Sequence, residues 1–221
     1  MVIAGGHGKI ALLLSRLLAQ RGDAVVGLIR NPDQAGDVAA TGAEAVVFDL
    51  ERAGPAALAG HLHGADAVVF AAGAGPGSGV RRKDTVDRAG AALLADAAEL
   101  AGVRRYLLIS ATGFDVDDPG WAPPPGTGEV FAAYLRAKAA AELDLRGREL
   151  DWTVLRPGAL TDAGPSGTVQ LAPTVARAEI SRADVAAVLA ALLDEPRSAR
   201  RTLEVVSGEV PIPAAVRAVI G

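Results

Sequence analysis

Short runs of consecutive apolar residues alternate along this chain with longer segments whose apolar positions recur every three to four residues. Residues 2–4 (VIA) predict a first strand, and "GKIALLLSRLLAQRG" (8–22) predicts a helix stopped by Gly22. Residues 24–29 (AVVGLI), 44–50 (EAVVFDL), 66–73 (DAVVFAAG), 104–110 (RRYLLIS) and 151–157 (DWTVLRP) predict strands two to six. Helices are predicted at 31–42, where Asn31 caps and Pro32 starts the first turn, at 84–102 and at 129–147. Beyond Pro157 the pattern loosens into β-like pieces near 168–171 and 178–180, a capped helix at 181–196 and a last strand at 202–208. No internal repeat is evident.

Parallel strands need crossover connections, so this alternation predicts an α/β fold: a doubly wound parallel sheet with helices on both faces. Continuous apolar strands such as "AVVF" fit burial from both sides. Such sheets take ligands at the carboxyl ends of their strands, which is where function is to be sought. The 221 residues, half of them apolar, suit one domain. A net charge of −4 with no basic block argues against nucleic acid or an anionic membrane surface as partner. Cysteine is absent, which excludes thiolate metal sites and cysteine nucleophiles and fits a reducing compartment. The longest apolar run, 183–193, contains Asp184 and is too short to span a bilayer. The opening strand leads into glycines rather than a cleavage site, so a cytoplasmic protein acting on a small molecule is expected.

The first strand ends in "GGHGKIA" (5–11). Gly5 and Gly8 permit a tight turn and a close approach of a pyrophosphate to the helix N–H groups that follow. Ala11 takes the third position, whose task is helix–strand packing. By itself such a turn fits an ordinary loop equally well. Strand two ends at Arg30, where an NAD site usually carries a carboxylate. A guanidinium there suits the 2′-phosphate of NADP, or is a solvated surface arginine. Strand three ends in Asp49-Leu50, a candidate acceptor for an adenine amino group or simply an exposed acid. The small residues 71–75 (AAGAG) after strand four leave room for a flat ligand or form a plain loop.

In "YLRAK", Tyr134 and Lys138 stand at i, i+4 on one helix face. A neighbouring ammonium is expected to lower the tyrosine's pKa, so that the pair exchanges a proton with a carbonyl or alcohol oxygen. Ser110 and Thr112, at the end of strand five, are candidates to hydrogen-bond the same oxygen or the loop backbone.

Together the glycine turn, Arg30, "FDL", "AAGAG", "ISAT", "YLRAK" and "LRPGAL" resemble the short-chain dehydrogenase/reductase superfamily. "RPG" (156–158) and "SRADVA" narrow the resemblance to its atypical branch, the small NAD(P)-binding, NmrA-like or epimerase/dehydratase-like proteins. The likeness runs from Val2 to about Val206. It implies one Rossmann-type domain over 1–221, with 159–221 forming a small substrate-side extension, and NADP(H) preferred over NAD(H). By motif, Gly5, Gly6, His7, Gly8, Lys9 and Ile10 would line the pyrophosphate loop, and Arg30 would hold the 2′-phosphate. Asp49 and Leu50 would flank adenine, and Ala71, Ala72 and Gly73 would lie beside the adenosine ribose. Lys138 would also reach the nicotinamide ribose, with Arg156, Pro157 and Gly158 near the nicotinamide. Tyr134 and Lys138 match the catalytic pair, and Thr112, ahead of Ser110, matches the catalytic hydroxyl.

Two departures stand out. His7 occupies a position often held by threonine or a small residue, and the stretch after 158 is short for gripping a nucleotide sugar. The implied activity is NADP(H)-dependent reduction of a small carbonyl, quinone or flavin-like compound. The alternatives are a non-catalytic NADP(H) redox sensor and a sugar-nucleotide epimerase or dehydratase.

Other signals point to structure. His61 and His63 in "GHLHG" lack cysteine or nearby acidic partners, so they are expected in a surface loop, with no metal. "RRK" (81–83) predicts a solvated helix start. Ser110 lacks the Gly-x-Ser-x-Gly elbow of hydrolases. Trp121 and its neighbouring prolines predict a lid or a rigid surface loop at 113–128. The helices at 84–102 and 129–147 either pair two copies into a homodimer or pack on the sheet.

Overall fold

The computed structural model describes residues 1–75, 77–118 and 120–221; Pro76 and Pro119, the latter in the loop expected at 113–128, lie outside. Six strands run parallel in the first part of the chain: β1 (Val2–Ala4), β2 (Val26–Ile29), β3 (Glu44–Val47), β4 (Ala67–Phe70), β5 (Arg105–Ile109) and β6 (Asp151–Pro157). Their spatial order, β3-β2-β1-β4-β5-β6, reverses direction between β1 and β4. Ligands bind at such a switch point in an open α/β sheet.

The crossovers are α1 (Lys9–Gln20), α2 (Ala35–Ala39), α3 (Pro55–Leu62), the short α4 (Val80–Arg82), α5 (Ala89–Ala101) and α6 (Glu129–Arg146). After β6 come β7 (Ala159–Thr161), β8 (Thr168–Ala172), β9 (Glu179–Ser181), α7 (Arg182–Leu193), β10 (Arg201–Ser207), β11 (Val210–Pro211) and α8 (Ile212–Ile220). β10 continues the parallel sheet beside β6, while β8 and β11 close that edge antiparallel. β7 and β9 form a separate parallel pair.

Successive strand residues feed opposite layers, which is why the strands read as unbroken apolar runs. Ile3, Val69 and Leu107 pack with α1, α7 and α8, whereas Val2, Val68, Phe70 and Leu108 pack with α3, α5 and α6. The two long helices therefore bury their apolar faces on the sheet. The doubly wound parallel arrangement is as expected, with an antiparallel edge added.

Local differences have local causes. The 31–42 helix shortens to a 3-10 turn, Pro32–Gln34, followed by α2. α3 was not anticipated: its eight residues bury only Leu58 and Leu62, one i, i+4 pair, too little periodicity to stand out. The helix expected at 84–102 begins as a π-helical turn, Lys83–Arg88, which buries Lys83, Val86 and Asp87. Such turns redirect side chains and recur at functional sites. Within "RRK" Arg81 is exposed at the helix start, but Lys83 is buried and donates to the Gly75 carbonyl at 3.0 Å. His61 lies on α3 rather than in a loop, edge-on to the Phe48 ring.

Candidate cofactor and catalytic site

A cavity of about 570 Å³ opens over the carboxyl ends of β1 to β4. It brings together Gly5, His7, Gly8, Lys9, Arg30, Asp49, Leu50, Ala71, Ala72 and Gly73. These are ten of the expected cofactor residues, drawn from four separate strand ends.

The glycine loop is built by steric necessity. Gly5 has φ +81°, and a Cβ there would stand 2.5 Å from the Ala72 Cα. A Cβ on Gly6 would stand 2.7 Å from the Gly27 Cα, because the loop is drawn against β2 by a 2.8 Å bond from the Gly6 N–H to the Leu28 carbonyl. Gly8 is the N-cap of α1 and offers no side-chain acceptor to that helix. The first N–H groups of a twelve-residue helix thus lack a capping side chain beside the cavity, the arrangement that accepts a phosphate. The donor set and the close-approach glycines fit a dinucleotide pyrophosphate.

Not every expected loop residue faces the cavity. Gly6 stands behind the wall, and Ile10 is buried in the apolar layer with Ala11 and Leu14. His7 Nε2 pairs with Asp37 at 2.8 Å, which ties the loop to α2. Lys9 reaches Asp162 at 2.6 Å, and Asp162 also receives Arg182 at 2.8 Å, linking the loop to the C-terminal region.

The catalytic candidates sit beside this cavity. Lys138 is buried, donates to the Ile109 carbonyl at 2.9 Å and lies 3.7 Å from Asp87 Oδ1. Asp87 in turn accepts from the Ala74 N–H at 3.1 Å, and Ala74 belongs to the cavity wall. The Lys83 and Lys138 ammonium groups approach the Tyr134 ring at 5.6 and 5.8 Å from its centroid. Ser110 is buried, and its hydroxyl has no hydrogen-bond partner among the described residues; Thr112 is half-buried.

The electrostatics correct one expectation. Burial, aided by the Asp87 carboxylate, pushes the Tyr134 hydroxyl up to about 12 rather than down. The Lys138 ammonium has the Asp87 carboxylate beside it as a counterion, which opposes its pull on the hydroxyl. Lys138 itself is pulled down by burial against the opposing pull of Asp87 and Glu142.

The end of β6 also departs from expectation. Arg156 does not reach the first cavity. It makes a buried two-pronged pair with Glu142, Nε to Oε1 at 2.9 Å and Nη2 to Oε2 at 2.7 Å, and stacks 4.7 Å from the Phe114 ring. It lines a second cavity of about 750 Å³ with Phe114, Arg146, Trp152 and Arg200. Side chains alternate along a strand, so position 156 follows Trp152 and Val154 to the α6 face. Pro157 is buried, and Gly158 donates to the Val205 carbonyl with Ala178 packed against it. Pattern reading missed Glu51 and Arg82, both on the wall of the first cavity. Their signal, two residues past "FD" and within "RRK", is too common to mark a site.

A switch-point cavity with a glycine loop under an uncapped helix defines a Rossmann-type dinucleotide-binding protein. A model of the NAD(P)H-binding family matches residues 5–196, and the chain belongs to that family. Bacillus subtilis YhfK, named as an uncharacterized sugar epimerase, is 33% identical over 97% of this chain and 97% of its own. A solved Bacillus halodurans protein, named as a candidate NAD-dependent epimerase/dehydratase, is 32% identical with a TM-score of 0.88, covering 99% of this chain and 98% of that one. The Lactococcus lactis oxidoreductase ylbE is 27% identical with a TM-score of 0.83, covering 99% of this chain and 96% of that one. The resemblance to the atypical dehydrogenase/reductase branch is thereby borne out. Among the described residues no helix is long and apolar enough to cross a membrane.

Proposed function

We propose that this protein is an NADPH-dependent reductase of a small carbonyl, quinone or flavin-like compound, with Tyr134 as proton donor. The observation that carries the reading is the chain Tyr134–Lys138–Asp87–Ala74, which ties the acid candidate to the cavity wall. NADPH held along the glycine loop would supply the hydride. Lys138 places its ammonium 5.8 Å from the Tyr134 ring centroid, and Thr112 would offer a second hydroxyl toward the substrate oxygen. A hydroxyl pushed up to about 12 is protonated at neutral pH, which suits donation to a developing alkoxide.

That same property weighs against a sugar epimerase, whose first step is removal of a proton from an alcohol. The name of YhfK keeps that reading in view. The test is Tyr134→Phe assayed against a panel of carbonyls and quinones. Turnover is expected to fall at least about a hundredfold while NADPH affinity holds. Unchanged turnover would remove Tyr134 from catalysis. Absence of NADPH oxidation in the wild type across the panel would favour a redox sensor.

A further inference from the structure

Two arginines from distant parts of the chain meet on one carboxylate at the end of the first cavity. Glu51 Oε2 accepts from Arg30 Nη1 at 3.2 Å, just after β2, and from Arg82 Nη2 at 2.9 Å, in α4. Its other oxygen, Oε1, accepts from the Thr85 hydroxyl at 2.6 Å. Arg30, Glu51 and Arg82 all line the cavity. The hydroxyl of Thr85, followed by the two guanidinium groups, holds the Glu51 carboxyl below its usual range, so it is a full anion at neutral pH. One negative charge between two cations leaves the cluster at net +1. Each guanidinium spends one of its five N–H donors on Glu51, and both side chains remain partly open to solvent.

We propose that Arg82 is the second arm of a 2′-phosphate clamp and that Glu51 is its internal stand-in anion. This rests on the reading that the cavity takes NADPH. From the sequence, Arg30 alone is expected at the phosphate. The structure shows Arg30 and Arg82 already gathered around a single oxygen, a geometry that a terminal phosphate oxygen fills as well as a carboxylate oxygen. A phosphate brings close to two charges and three acceptor oxygens, so it outcompetes the single carboxylate for both forks. Glu51 then stays on Thr85 through Oε1. With NADH there is no phosphate, and the arginines stay on Glu51. The carboxylate therefore keeps the pair assembled in the free protein and weakens NADPH binding by competing with it. Arg82 acts on the ligand directly, and Glu51 acts through the two arginines.

The experiment is equilibrium titration of wild type, Arg82→Gln, Glu51→Gln and Arg30→Gln with NADPH, NADH, 2′,5′-ADP and 5′-ADP, without any substrate. Arg82→Gln is expected to weaken NADPH and 2′,5′-ADP about tenfold and to leave NADH and 5′-ADP unmoved. Glu51→Gln is expected to tighten the two 2′-phosphate ligands several-fold, about three- to tenfold, with NADH again unmoved. If Arg30→Gln erases the NADPH preference while Arg82→Gln retains it, the clamp is overturned and the NADPH reading survives. Looser NADPH binding by Glu51→Gln overturns the stand-in role. Equal wild-type affinity for NADPH and NADH overturns the parent reading along with the clamp.

Discussion

The Lys138 ammonium lies 3.7 Å from the Asp87 carboxylate, and both side chains are almost wholly buried. Asp87 of this pair also bears on the proton chemistry of Tyr134. Had Lys138 stood alone, it would have stabilised phenolate; with Asp87 as counterion, burial dominates and the hydroxyl is pushed up to about 12. The tyrosine is then fully protonated throughout the neutral range. Carbonyl reduction is expected to show no loss from Tyr134 ionisation between about pH 6 and 9. The reverse alcohol oxidation, which needs the phenolate, should rise about tenfold per pH unit over the same range. Single-turnover rates in both directions check this. An oxidation rate that levels off near pH 7 would mean that Tyr134 ionises far lower than its surroundings dictate.

The Glu142–Arg156 pair gives a prediction about stability rather than catalysis. Glu142 is fully buried and Arg156 nearly so, and their two hydrogen bonds satisfy both charged ends. Removing one partner leaves the other buried, with Glu204 at 3.8 Å and the more distant Asp115 carboxylate left to offset Arg156. Glu142→Leu is expected to cost about 3–5 kcal/mol in urea unfolding. The double variant Glu142→Leu, Arg156→Met should recover most of that loss, because a packed apolar pair needs no desolvation of charge. NADPH affinity in the double variant should stay at the wild-type value. A loss of affinity there would return Arg156 to the cofactor site.

What the chain disclosed in advance follows from the range over which each constraint acts. Gly5 and Arg30 were legible because the strand–turn–helix geometry is local and places the end of the next strand at a fixed distance. Tyr134 and Lys138 were legible as neighbours because i, i+4 spacing is a property of any helix. Asp87 was not, since only the packing of the π-helical turn against α6 brings it to Lys138, where its carboxylate adds to the burial that raises the Tyr134 pKa. The direction of the Arg156 side chain was not legible because "RPG" marks the end of a strand without marking which face its side chain takes. Glu51 and Arg82 lie 31 positions apart and acquire meaning only through the fold.

Asp184 ties the C-terminal segment together and gives a pH signature. It stands at the start of α7, where its N–H bonds the Ser181 hydroxyl at 2.9 Å. Its carboxylate accepts from the Ser166 and Gly167 N–H groups at 3.0 and 2.8 Å and from the Ser166 and Ser181 hydroxyls at 2.9 and 2.8 Å. Burial pushes the Asp184 carboxyl up, but those N–H and O–H donors outweigh it and hold the group below the usual aspartate range. A depressed folded-state value contributes stability above the unfolded pKa near about 3.9 and loses it as pH falls through the folded value. Asp184→Asn keeps the size but loses two acceptor sites, so it is expected to cost about 2 kcal/mol at pH 7. The gap to wild type should narrow as pH drops below about 4, where the unfolded carboxyl takes up a proton that the native one still resists. Urea unfolding from pH 3 to 7 measures both effects. A gap that stays constant over that range would mean that the residue acts through packing rather than through its charge.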